Sequence, residues 1–249
     1  MASFKYSKNP LIQVIMQIRF PSLLEISNKD PVEFQQKIRT DFPLYDKNVE
    51  KQQQITIDAN APTPKLFEFN TINHKFSSEN NVWAVNLTNT FLSISTTHYE
   101  SYEDMKDKFM RVVSYFNELY KPAFYTRLGL RYIDAISRKK YNLMDTPWKD
   151  LLDASALGFL ANTNLSEQVS GLQNVSEIAF SDTISSKVIT SLAYVNGDME
   201  EKQFVFDSDT FTTDKVNIKD LLVKLDILHE NSFRLFDSII KDNLREAMK

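Results

Sequence analysis

Two stretches decide the fold: Leu11-Ile-Gln-Val-Ile-Met-Gln-Ile-Arg-Phe20 and Ala123-Phe-Tyr-Thr-Arg-Leu-Gly-Leu-Arg-Tyr-Ile-Asp-Ala-Ile136. In the first, period-two alternation sets Ile12, Val14, Met16 and Ile18 on one face of an extended segment rich in β-branched residues, which predicts a half-buried strand. The second reads as a longer strand of the same kind. Gln17-Ile18-Arg19-Phe20 in one and Gly129-Leu130-Arg131-Tyr132 in the other share the order aliphatic, Arg, aromatic, and Pro31 and Pro147 follow them at similar distances. A pattern repeated at a near-constant offset predicts a tandem duplication, with one unit over 1–122 and a second over 123–249 packed as one globular body.

Working outward, each unit runs through the same elements. Asp30, Pro31 and Glu33 read as an N-cap, a first-turn proline and a capping-box acid for a short helix reaching about Thr40. Strands predicted over 52–58, 65–75, 81–88 and 91–97 form an antiparallel meander. Ser101 with Asp104 then caps a helix whose apolar residues Tyr102, Met105, Phe109, Val112, Val113 and Phe116 recur at spacings of three and four. In the second unit Thr146-Pro147 opens a short helix, and strands are predicted at about 168–180, 184–195 and 202–209, with Asn196-Gly197-Asp198 as a turn. Asn217 with Asp220 caps a helix expected to reach Met248. The predicted class is α+β: two strand, helix, meander, helix units making one curved sheet with the long helices on one side. This resembles the saddle-like folds of the TATA-binding and helix-grip kind, a likeness that carries no function.

Counting excludes several chemistries. Gly occurs 4 times, at Gly129, Gly158, Gly171 and Gly197, too far apart for a phosphate cradle whose backbone must approach without Cβ atoms. With Cys 0 and His 3, thiol catalysis and thiolate metal sites are excluded and histidine metal sites have few candidates, so no cofactor and no metal is expected. The start of the chain lacks an apolar signal core and no apolar run suits a membrane span, so the protein is expected to be soluble and cytoplasmic. A net charge of -4 makes nucleic acid an unfavoured partner, because such binding is dominated by phosphate neutralisation.

The segments Tyr6-Ser-Lys-Asn-Pro10-Leu-Ile-Gln-Val14, Ile18-Arg19-Phe20-Pro21 and Arg127-Leu-Gly-Leu-Arg131-Tyr132-Ile133-Asp134 resemble a sporadically distributed family of uncharacterised prokaryotic proteins of about this length. The resemblance spans nearly the whole chain and implies no particular activity. Patchy distribution of that sort is associated with mobile-element and anti-phage gene clusters.

Arg19 and Arg131 are the side chains that most need an account, because a guanidinium within an apolar strand must reach solvent or find a partner. One reading is a structural ion pair with Asp134, Asp41 or another carboxylate. The other makes Arg19, Arg131, Arg127 and Tyr132 a ligand-binding set for a small anion or nucleotide. Two charge poles stand out: basic residues between Lys121 and Lys140, and acidic ones from Asp198 to Asp214. They read as solvated faces or as surfaces for association.

His74, His98 and Glu100 are the one candidate metal cluster, and Asp207 to Ile218 fails the calcium-loop pattern. Leu66, Phe67 and Phe69, or Phe204 and Phe206, read as a buried sheet face before a base-stacking one. Phe233, Phe236, Ile240 and Leu244 drift off the main stripe of the last helix and predict a homodimer interface. No catalytic residue is identified. The function expected is a non-enzymatic binding or regulatory protein with a protein partner or a second copy of itself. A small anionic-ligand sensor is the alternative, and a cryptic metal-dependent hydrolase or nuclease a second.

Overall fold

A computed structural model describes residues 6–56 and 65–249, with side chains described outside 50–70. Positions 57 and 58 of one predicted strand, and the side chains of Leu66, Phe67 and Phe69, lie outside the described residues. The strands are β1 (Leu11–Arg19), β2 (Leu44–Thr56), β3 (Lys65–Ser77), β4 (Trp83–Leu87), β5 (Phe91–Thr96), β6 (Arg127–Ile136), β7 (Gln173–Ser181), β8 (Ile184–Ala193) and β9 (Gln203–Thr212). The helices are α1 (Leu24–Asn28), α2 (Val32–Ile38), α3 (Tyr102–Tyr120), α4 (Trp148–Leu151), α5 (Ala154–Leu157), α6 (Leu221–Ile239) and α7 (Asp242–Met248). The fold is α+β, with the nine strands of the described residues in one antiparallel sheet ordered β2-β3-β4-β5-β1-β6-β9-β8-β7. β1 and β6 meet in the middle, and the meanders run outward from them in opposite directions.

Alternation explains which face is buried. Val14, Met16 and Ile18 of β1 and Leu128, Leu130 and Tyr132 of β6 point into a core shared with Phe109, Val112, Val113 and Phe116 of α3 and Leu221, Leu225 and Leu228 of α6. A second apolar cluster joins Ile136, Phe204 and Phe206 to Leu151, Leu152 and Leu157 and to Ile240, Leu244 and Met248. Polar residues line part of the same buried face of the second half. There the hydroxyls of Ser232 and Thr210 lie 2.8 Å apart and those of Thr210 and Ser186 3.1 Å apart, satisfying one another out of water.

Several local expectations hold. Ser101 accepts the Asp104 N–H at the start of α3, and Asn196 and Gly197 take the positive φ values of 54° and 78° that a tight turn requires. Others are corrected. Asp30 does not cap α2, because Pro31 occupies the N-cap position and the Asp30 carboxylate turns to Lys47 at 2.6 Å. Asn217 and Asp220 do not cap a helix with their side chains; they bond to each other at 3.3 Å across a single 3-10 turn. The last helix does not run unbroken to Met248. Ile240 is extended (φ -89°, ψ 136°), because Asp153 N–H donates to the Ile239 carbonyl at 2.7 Å and Lys241 N–H to the Leu151 carbonyl at 2.9 Å. The end of α4 thus takes backbone bonds that a continuous helix would have kept. No helix among the described residues is long and apolar enough to cross a membrane.

Candidate functional site

The same alternation that buries Leu128, Leu130 and Tyr132 sends Arg127, Gly129 and Arg131 to the other face of β6. Register then sets Arg19 directly opposite Arg127 and Gln17 opposite Gly129 on β1, while β9 brings Asp207, Asp209 and Phe211 alongside. Arg127 Nη2 donates to both oxygens of Asp209 at 2.8 Å. Arg131 grips Asp207 in a fork, Nε to Oδ1 at 2.7 Å and Nη2 to Oδ2. The Arg127 guanidinium lies 4.4 Å from the centroid of the Phe211 ring and over Gly129, where any Cβ would strike it. Gly129 is therefore the residue that lets Arg127 lie flat on the sheet.

Arg19 differs from the other two. It is exposed, donates Nε to Gln17 Oε1 at 3.2 Å, and makes no salt bridge among the described residues. The same Gln17 oxygen accepts from Arg127 Nη1 at 3.3 Å. Desolvation first and the facing Arg127 charge second hold the Arg19 guanidinium below its usual value, whereas the Asp207 fork raises Arg131. Two guanidinium groups thus share one carboxylate and one amide oxygen at the end of the central strand pair.

The predicted set divides by face. Arg19, Arg127 and Arg131 come together, but Tyr132 does not join them. It is 8% exposed on the opposite side of the sheet, with its hydroxyl 2.9 Å from His229 Nδ1. Neither predicted carboxylate answers Arg131: Asp134 is buried on the far face, and Asp41 pairs with Arg111 at 3.5 Å. Asp207, Asp209 and Gln17 are the residues that sequence reading missed. The acidic pole signalled the aspartates, but their partners become visible only in the register of β6 against β9.

The two charge poles largely answer each other within the chain, through Arg127–Asp209, Arg131–Asp207 and Lys139–Glu200. Glu201 is 4% exposed and accepts the Ser137 hydroxyl at 2.6 Å and the Arg138 N–H at 2.7 Å. The expected dimer stripe is also used internally. Leu244 and Ile240 lie in the second core cluster, Phe236 packs against Tyr6 and Phe206, and Phe233 is half-buried. His98 approaches Glu100 at 3.9 Å, while His74 is buried against Tyr45. Among the described residues no three His, Asp or Glu side chains are placed to hold a metal ion.

Compared with protein-family models and with curated proteins, the chain matches none.

Proposed function

We propose that this chain is a binding module, non-enzymatic and regulatory in character, that holds an anionic group of its partner between Arg19 and Arg127 on the polar face of the central strands. The observation that carries this is the like-charged register pair. Like charges directly opposite on a sheet cost of the order of 0.2–1 kcal/mol, and here Arg19 makes no salt bridge among the described residues, the nearby Asp209 carboxylate being forked to Arg127. A phosphate or carboxylate bridging the pair would replace that repulsion with charge-assisted bonds to planar forks, the geometry in which arginine outperforms lysine. Gly129 and Phe211 support the site by fixing the plane of Arg127. The partner is a protein carrying such a group or a small anionic ligand.

We infer also that the chain is a duplicated unit, 1–122 and 123–249, with its long helices on one side. In support, the order β5-β4-β3 away from β1 is matched by β9-β8-β7 away from β6, and each meander leads into a long helix. Membership of the sporadic prokaryotic family, with a cytoplasmic place in a defence or mobile-element system, belongs to the same reading.

Thermal unfolding in increasing inorganic phosphate, citrate and ATP tests the site. Arg19→Ala is expected to raise the midpoint of the free protein slightly, by relieving repulsion, and to abolish any anion-dependent rise seen in the unmodified chain. A fall in the midpoint on Arg19→Ala, together with no response to any of the three anions, would end the proposal.

A further inference from the structure

The edge strand β7 is paired on one side only. Leu192 N–H donates to the Leu172 carbonyl at 3.2 Å, which makes these opposed residues a hydrogen-bonded pair. Antiparallel ladders alternate bonded and non-bonded pairs, so Asn174, Ser176 and Ile178 bond to β8, and the N–H and C=O groups of Gln173, Val175 and Glu177 point outward. The first register irregularity comes after Ala179, so the pairing along this stretch is regular. At the other end of the sheet β3 is covered by β2; no described strand covers β7.

The side chains along this edge specify what would fit. One cross-strand row on the polar face reads Arg131, Asp209, Lys187, Glu177, alternating in sign and ending on Glu177 at the free edge. The neighbouring row reads Ile133, Asp207, Ile189, Val175 and ends on a valine that is 56% exposed. Beyond the start of β7, a groove of about 370 Å³ is walled by Phe159, Leu165, Val169 and Leu172, of which Phe159 is 67% exposed.

We infer that the β7 edge is a docking site for an extended peptide, which adds as a tenth, antiparallel strand and carries a Lys or Arg opposite Glu177. The antiparallel direction follows every other ladder of the sheet, and the basic residue continues the alternating row. Two residues further along, the peptide meets Val175 with an apolar side chain, and three beyond that it places another in the Phe159 groove. A second copy's β7 is a poorer occupant, because it brings two Glu177 carboxylates into one short ladder.

The probe is a fluorescent peptide, Thr-Lys-Thr-Val-Thr-Ser-Leu, followed by anisotropy. Saturable binding is expected, weakened by about ten-fold or more by Glu177→Lys and regained by the peptide with Glu in place of its Lys. Val175→Pro removes an outward N–H that edge strands can spare, so it should leave the urea midpoint near that of the unmodified protein while weakening binding by about the same factor. Absence of saturation up to about 1 mM, or binding unchanged by both variants, would overturn the inference. So would a dimer in sedimentation that Val175→Pro disperses, since the edge would then belong to a second copy. Arg19→Ala should leave peptide binding unaltered, which separates this edge from the anion site.

Discussion

Asp134 is a carboxyl that the fold places at a cost. It stands on the buried face of β6, 4% exposed, opposite Phe206 on one side and Leu11 on the other. Burial first and the negative charge of Asp207 second push its carboxyl up to about 8. The folded state therefore holds a proton that the unfolded chain releases near pH 4, so the stability this group contributes is fully present in acid and is lost as pH rises from about 4 to about 8. Asp134→Asn should flatten that slope. In urea unfolding at pH 5 the two proteins should be close, and at pH 9 the variant should be more stable by on the order of 3–5 kcal/mol. Equal stability at pH 9 would mean that Asp134 is ionised and paired in the native state. Its face was legible from sequence: three residues apart on a strand, Arg131 and Asp134 must point to opposite sides, which excludes an ion pair between them.

At the scale of elements, strands with one buried face were legible because alternation is imposed locally by the pleat. β1, β5, β8 and β9 fall within a few residues of their expected bounds. The misses share a cause. The break at Ile240 carries no Gly or Pro, though the weak helix formers Ser238, Asp242 and Asn243 lie beside it, and is made by backbone bonds to α4, and the ionic ladder depends on a register between strands far apart in sequence. That ladder joins β6 to β9, but its members differ in weight. Arg131 has 41% of its side chain exposed and Asp207 13%, so Arg131→Ala should cost about 1 kcal/mol, less than the 3–5 of a fully buried pair. Glu201 is another matter. It ties the turn after β6 through the Ser137 hydroxyl and the Arg138 N–H, and its loss leaves those donors without their acceptor, so Glu201→Ala should cost roughly 2–4 kcal/mol. Urea midpoints of the two variants test the ranking, and a larger loss for Arg131→Ala would reverse it.

Over the whole molecule, the two halves of the chain share one core and are tied at α3 and α6. The Tyr102 and His229 rings stack 3.9 Å apart at an interplanar angle of 5°. The Tyr102 hydroxyl donates to Asp226 at 2.8 Å, Lys106 reaches the same carboxylate at 3.0 Å, and Tyr132 meets His229 from the sheet below. With β1 and β6 bonded down the centre, neither half can open without exposing the apolar face of the other. A single cooperative unfolding transition is therefore expected, with calorimetric and van't Hoff enthalpies equal. Desolvation holds His229 below its ordinary value, so the native state resists its protonation, and the stability it contributes is present above about pH 6.5 and declines as pH falls. Its slope is opposite in sign to that of Asp134 and offsets it below about pH 6.5, so His229→Phe, which keeps a ring on Tyr102, should raise stability at pH 5.5 relative to pH 7.5 when compared with the unmodified protein. Scanning calorimetry at pH 5.5 and 7.5 separates the outcomes. Two resolved transitions at pH 7.5, or the same difference between pH 5.5 and 7.5 in His229→Phe as in the unmodified protein, would show that the halves fold apart or that another group carries the pH dependence.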